Sequence, residues 1–211
     1  MLATENLGTI TGSATSSAVT TILLARHGET DWNREWRFQG HADPPLNQTG
    51  RAQATDLSRA LADEELSAVY SSPLRRAFET AEVVAAAHGL EPVAVEALRE
   101  VDVGSWQGLT RAEVESRFPE QYARWLDHGQ GWADGETYEQ MAERVIEALL
   151  ELAAAHDGER ILVVTHGGPI RAAFAFADDT SHAEARRSGP TIGNVFVAKF
   201  AAEGGALRRL D

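Results

Sequence analysis

Two hydrophobic rhythms run along this chain. Short continuous apolar runs stop abruptly at polar residues, and between them apolar residues return every three or four positions. The runs Thr21-Ile22-Leu23-Leu24-Ala25, Ala68-Val69-Tyr70-Ser71, Pro92 to Val95, Ile161-Leu162-Val163-Val164-Thr165 and Val195 to Phe200 predict strands. Ala54, Leu57 and Leu61 predict a helix opening at Thr49-Gly50. Ser72 as N-cap, with Pro73 at the first helical position, predicts a second helix running to about Ala87 and stopping near Gly89. Tyr138, Met141, Val145, Leu149 and Leu152 give the strongest helical period, and Pro169 marks another helix start. Helices and strands alternate, which predicts one α/β domain with a mostly parallel sheet.

The remainder of the chain fits around that frame. Residues 1–20 are rich in Ser, Thr, Ala and Gly without apolar periodicity and are expected to form a flexible leader, with the domain at 21–211. Glycines 104, 108, 129, 131 and 135 punctuate a segment rich in aromatics, and residues 104–136 are expected to cap the site. The aromatics at 118–132 are expected mainly to pack, with the specificity roles of Tyr122 and Trp125 open and Trp106 equally suited to core or substrate wall. The acidic stretch at 63–65 reads as a solvated helix end.

Two of the strands end alike. Arg26-His27-Gly28 follows the first and His166-Gly167-Gly168 follows the one at 161–165. Ligands of open α/β sheets sit at the carboxyl ends of strands. Two histidines distant in sequence are therefore expected to meet there, near Ser71, Ser72, Arg75 and Arg76 after the second strand and Glu100 and Asp102 after the third. Glycine after each histidine lets backbone N–H groups approach a ligand, and helix N-termini favour an anion. Such a cluster suits a phosphate dianion.

Charge and composition narrow the partners. The net charge of −13 disfavours nucleic acid or anionic lipid as the main partner, and makes a local group of arginines informative. No apolar run approaches the ~20 residues of a membrane span. The chain has no cysteine, which removes disulfides, thiolate catalysis and cysteine metal sites. The first basic residue is Arg26, so a secretory n-region is not seen, and a cytoplasmic location is expected.

Four ordered blocks resemble the histidine phosphatase superfamily, also called phosphoglycerate mutase-like. They are Leu24-Ala25-Arg26-His27-Gly28-Glu29-Thr30 with Trp32-Asn33 and Phe38-Gln39-Gly40; Ser71-Ser72-Pro73-Leu74-Arg75-Arg76-Ala77; Leu98-Arg99-Glu100 with Gly104, Trp106 and Gly108; and Thr165-His166-Gly167-Gly168. The resemblance implies a three-layer α/β/α sandwich. It implies a metal-independent phosphomonoesterase with no cofactor, acting on a small phosphorylated metabolite. His27 would be the nucleophile that forms a phosphohistidine, and Glu100 the proton donor. Arg26, Asn33, Arg76 and His166 would hold the phosphate, with Gln39, Gly40 and Gly167 beside it. A homodimer is compatible with this reading.

Other readings have to be weighed. A cofactor-dependent phosphoglycerate mutase would use the same phosphohistidine, but Val101-Asp102-Val103 follows Glu100, and residues 109–136 are short and acidic on balance. A non-catalytic phosphoester-binding protein would need a missing catalytic side chain, and none is missing. Asp102 is an alternative acid. His27 alone could be a structural histidine, and zinc would need a third ligand with supporting spacing. Arg75 and Arg99 read as surface or structural residues. Histidines 41, 88, 128, 156 and 182 read as surface or loop residues, with His41 a weak candidate for the site wall.

Overall fold

The computed structural model describes residues 18–128 and 131–210. Six strands, β1 (Thr20–Arg26), β2 (Ala68–Ser71), β3 (Pro92–Ala94), β4 (Arg160–Thr165), β5 (Val197–Glu203) and β6 (Ala206–Arg209), form one sheet in the order β3-β2-β4-β1-β5-β6. The first four are mutually parallel along that order, and β5 and β6 are antiparallel at one edge. The short helix α1 (Asp31–Arg34) and the longer α2 (Gln48–Ala60) precede α3 (Arg75–Ala87). Then come α4 (Arg111–Arg117), α5 (Pro119–His128), α6 (Tyr138–Ala155), α7 (Gly167–Ala177) and α8 (His182–Ser188).

Strand side chains alternate between two cores, as a period of two requires. Leu23, Ala25, Leu162 and Val164 face α2 and α3 through Leu57, Ala77, Ala81 and Val84. Ile22, Leu24, Ile161 and Val163 face α6 and α7 through Met141, Val145, Leu149 and Ile170. Both faces of the central strands are therefore buried, which is why they read as unbroken apolar runs. The result is the expected α/β/α sandwich. No helix among the described residues is long and apolar enough to cross a membrane.

Several sequence expectations need correction. The strand expected from Val195 begins at Val197, because Val195 sits at φ 52°, a left-handed conformation that a β-branched residue adopts only at a cost. β6 and α8 were not anticipated. Ser72 does not cap α3: the helix begins at Arg75 after Leu74, and the Ser72 hydroxyl is 2.8 Å from His166 Nε2 instead. The leader reading extends too far, since Thr20 belongs to β1 and its hydroxyl lies 2.9 and 2.8 Å from the carbonyls of Ala153 and His156. Its residues 1–17, like Gly129, lie outside the described residues. Glu64 is not merely solvated, for it pairs with Lys199 at 2.8 Å and Arg160 at 2.9 Å. His156 is tied to the Tyr70 hydroxyl at 2.8 Å and to Glu159 at 2.6 Å.

Candidate active site

Sheet register builds the site. Arg26 is the parallel partner of Thr165, so His27 and His166 leave adjacent strands side by side. Their rings lie 5.1 Å apart. The backbone ladder continues past the strand ends, with His27 N donating to Thr165 O at 3.0 Å and Ser72 N to Val164 O at 2.9 Å. Three strand ends thus share one rigid edge.

His27 lines a cavity of about 790 Å³, although only 2% of the residue is exposed. Its Nδ1 lies 2.6 Å from the Gly28 carbonyl, an acceptor, so Nδ1 carries the proton and Nε2 keeps its lone pair. Burial pushes the imidazole well below its ordinary pKa, and Arg76 and then Arg26 push it further down. The ring is neutral at physiological pH, with one nitrogen free to attack. The His27 carbonyl accepts from Asn194 Nδ2 at 3.1 Å and from Val195 N at 3.3 Å, so the strained residue before β5 helps to fix the backbone of His27.

The cations beside it are anchored through backbone carbonyls. Arg76 is 1% exposed and donates to Ala42 O at 2.7 Å and Gly40 O at 2.9 Å. Gly40 sits at φ 49°, a conformation glycine adopts freely, and the turn aims its carbonyl at the guanidinium. Burial lowers the Arg76 pKa to about 10, which leaves it fully charged near neutrality. Arg26 donates to Ile192 O at 2.8 Å. Arg26 Nε, Arg76 Nε and His166 Nδ1 are buried and lack a hydrogen-bond partner. Each such group costs roughly 1–3 kcal/mol, which the oxygens of a bound anion would recover.

Asn33 and Gln39 complete this end. The Thr30 hydroxyl lies 3.1 Å from both Asn33 Oδ1 and Gln39 Oε1, and Asn33 Oδ1 also accepts from Thr30 N. The Asn33 oxygen is occupied by the Thr30 backbone N–H, which leaves its amide NH₂ as a donor for a ligand, and the one Thr30 hydroxyl proton serves either oxygen. Glu100 comes from the opposite wall. Its carboxylate accepts from Gly168 N at 3.2 Å and Val101 N at 3.0 Å, so it rests on the positive N-terminus of α7. A side chain at Gly168 would collide with it. The Glu100 backbone carbonyl accepts from His41 Nε2 at 2.8 Å and Arg144 Nη2 at 3.0 Å.

Arg26, His27, Asn33, Gln39, Gly40, Arg76, Glu100 and Gly167 all line the one cavity. His166 stands behind His27, fully buried. His41 and Asp102 do not line it. His41 supports Glu100 from behind, and Asp102 accepts from Gly104 N at 2.9 Å. Arg75 and Arg99 are surface residues paired with Glu79 and Glu96. Trp106 is core, Tyr122 stacks on Trp125, and Trp125 reaches the cavity.

Sequence reasoning missed Tyr138, Arg171, His182, Arg186 and Asn194 on the cavity wall, as well as Arg144. Gly167 to Arg171 and His182 to Arg186 are four-residue spacings, so each pair shares a helix face; that was the available signal. His182 was read as a surface residue but is only 8% exposed, with its ring stacked 4.0 Å from Tyr138. Residues 109–136 are acidic on balance, yet they place Arg111 on the wall.

Comparison with known proteins agrees with this geometry. Residues 22–211 match the model of the histidine phosphatase superfamily (branch 1). The chain is 42% identical over 163 residues to a metal-independent phosphoserine phosphatase of Arabidopsis thaliana, covering 75% of this chain and 68% of that protein. It is 36% identical over 155 residues to phosphoserine phosphatase 1 of Hydrogenobacter thermophilus, covering 72% and 74%. Among solved structures, Bacillus stearothermophilus YhfR superimposes with a TM-score of 0.84 at 34% identity, over 90% of this chain and 95% of that one.

Proposed function

The chain belongs to the histidine phosphatase superfamily (branch 1) and is a phosphomonoester hydrolase of that family, and from this premise we propose that it works through a phosphohistidine on His27, without a metal, on a small phosphorylated metabolite. The observation that carries the proposal is the His27 tautomer: a neutral ring with Nδ1–H tied to Gly28 O, and Nε2 free beside two guanidiniums.

In the first step His27 Nε2 attacks phosphorus, and the ester P–O bond breaks. The departing alkoxide takes a proton from Glu100, the carboxyl on the opposite wall. In the second step water attacks the phosphohistidine, Glu100 takes the proton from that water, and the P–N bond breaks to release inorganic phosphate. Charge on the equatorial oxygens is met by Arg26 and Arg76 and by the amides of Asn33 and Gln39, while His166, buried behind His27, backs the nucleophile's ring. Positioning and electrostatic stabilisation are the main tools for this chemistry. Two arginines supply the cationic work that metal ions supply in other phosphatases, and one relative is itself named metal-independent. Val101 and Val103 make the wall beside Glu100 apolar, which favours hydrolysis over the mutase reading. Residues 104–136 serve as the cap, contributing Arg111 and Trp125.

The test is trapping by rapid quench into alkaline detergent with a radiolabelled phosphomonoester. Wild-type protein should retain acid-labile label, and His27→Ala should retain none and show background turnover only. Near-normal turnover by His27→Ala would overturn the scheme.

A further inference from the structure

We propose that the cavity contains a second anion subsite, formed by Arg171 and Arg186 with the ring of His182, and that the substrate is a phosphomonoester carrying a second anionic group. The proposal rests on the phosphatase reading above, because it concerns the far end of the same cavity.

The cavity runs against the charge of the molecule. The chain carries a net −13, yet seven arginines and two glutamates line this hollow. Arg26 and Arg76 face the phosphate. Arg34 is paired with Asp31 at 3.0 Å and Arg37 with Glu35 at 2.7 Å. Arg111, Arg171 and Arg186 have no ion-pair partner among the described residues. Among the described residues, half of the chain's arginines do hold carboxylates, in a chain with 32 acidic residues. Arg59, Arg75 and Arg187, for example, hold carboxylates at 2.9, 3.2 and 2.7 Å.

Neutral groups hold the unpaired cations instead. Arg186 lies 4.3 Å from the Trp125 ring and donates to the Trp125 carbonyl at 2.9 Å. Arg111 lies 5.2 Å from Trp36 and 5.6 Å from Trp125. An aromatic face orients a guanidinium without cancelling its charge. Arg171 reaches only the Gly167 carbonyl, at 3.4 Å, and its Nε is buried without a partner. Its charge is felt at Arg26, so the two belong to one electrostatic field. An uncharged leaving group would do nothing to relieve that repulsion; a second anion would.

His182 supplies the independent observation. It is buried on the cavity wall, and neither ring nitrogen makes a hydrogen bond of good geometry. Burial, then Arg171, hold its pKa down to about 4, against a weaker pull from the Gly168 backbone. The ring is neutral and offers one N–H between two guanidiniums. Arg171 follows Gly167 by four residues of α7, about 6 Å along the axis. The second anion would therefore sit a few bonds beyond the transferring phosphate, as in a phosphorylated hydroxy acid or a bisphosphate. A volume of about 790 Å³ leaves room for both groups.

Matched ligand pairs test this by calorimetric binding to the His27→Ala protein. O-phosphoserine and O-phosphoethanolamine differ only in a carboxylate; fructose 1,6-bisphosphate and fructose 6-phosphate differ only in a second phosphate. At least one pair should show a preference of about tenfold or more for the more anionic member, the range of a charge-assisted hydrogen bond. Adding Arg171→Gln and Arg186→Gln should bring that ratio to within about twofold of unity, and Arg171→Lys should keep part of it. Because the readout is a ratio within one protein, partial loss of folded protein cancels. Equal binding of both members of both pairs, or a ratio that survives the double substitution, overturns the subsite. Loss of wild-type turnover on an aryl phosphate, with the binding ratio intact, overturns the phosphatase reading and leaves the subsite standing.

Discussion

Replacing Arg76 by methionine separates two roles that the geometry gives one guanidinium. The side chain is 1% exposed, charged and close enough to depress the His27 pKa. Methionine keeps much of the volume and removes the charge. Losing one preorganised donor to the transition-state charge costs ~10²–10³ in kcat, about 2.7–4 kcal/mol. The second effect has a sign that can be worked out. His27 must be neutral to attack, so kcat/KM falls on the acid side as the ring protonates. Burial, Arg76 and Arg26 hold that protonation well below the ordinary imidazole range. Removing Arg76 removes the larger of the two electrostatic causes, and the acid limb must move to higher pH. Arg76→Lys keeps the charge but loses the fork that reaches the carbonyls of Gly40 and Ala42, so it should lose activity with a smaller shift of the limb. The assay is kcat/KM for an aryl phosphate from pH 4 to 8 in all three proteins. Substrate ionisation is common to them and cancels. An Arg76→Met enzyme within a few-fold of wild type, or one whose acid limb coincides with the wild-type limb, would refute the electrostatic reasoning.

Further expectations come from the walls. Gly168→Ala places a methyl group against Glu100 Oε1 and should lower kcat by about tenfold or more with little change in melting temperature, since the carboxyl is displaced by a fraction of an ångström; an unchanged kcat would mean that Glu100 is not held by α7. Arg144→Met removes donors to the carbonyls of Ala97, Arg99 and Glu100 and the partner of Glu136, and should destabilise the protein by roughly 3–5 kcal/mol in chemical denaturation; a loss under 1 kcal/mol would show that the clamp is dispensable. His182→Phe should flatten the loss of stability on acidification. The folded-state pKa of His182 is pushed down to about 4 from 6.5, so its stabilising effect is complete above pH 6.5 and lost as pH falls toward 4. A gap of about 2.5 pH units at 1.36 kcal/mol each gives roughly 3 kcal/mol, to be read as the difference between the two proteins' denaturation profiles. Parallel profiles would exclude a buried neutral ring.

Legibility in the sequence followed the range of the interactions involved. Strands β1 and β4 were readable because burial on both faces leaves one unbroken apolar signal. The meeting of the two histidines was readable because Arg26-His27-Gly28 and His166-Gly167-Gly168 each terminate such a strand, and parallel pairing does the rest. The start of β5 was misplaced because Val195 looks like a strand residue, yet its backbone is turned to carry Asn194 to the His27 carbonyl. Ser72 misled as a helix cap because a hydroxyl at that position fits two partners, and a histidine 94 residues away took it. Arg171, His182 and Arg186 were invisible for a related reason. Nothing local distinguishes a surface arginine with a carboxylate partner from one with none, and that difference is set by the tertiary neighbours.

The unpaired groups also explain how the molecule can hold a reactive site without collapsing it. Buried cations beside neutral histidines repel one another, and the carboxylate of Glu100, with Asp43 for Arg76, offsets only part of that repulsion. The cost is carried by elements that do not titrate: the carbonyls of Gly40, Ala42 and Ile192, and the aromatic faces of Trp36 and Trp125. Carboxylates in those positions would have stabilised the empty protein more, but they would also have competed with the substrate for the same guanidiniums. A carboxylate placed beside one of these guanidiniums should therefore weaken phosphate binding. Ile192 presents the Arg26 contact through its backbone, with the side chain on the cavity wall. Ile192→Glu is the variant that puts a negative charge beside that cation. The inhibition constant of inorganic phosphate should rise in this protein, while the denaturation midpoint should fall, because Ile192 is only 5% exposed and the new carboxylate is buried. A variant that binds phosphate as tightly as wild type would show that the empty site is not being kept positive for its ligand.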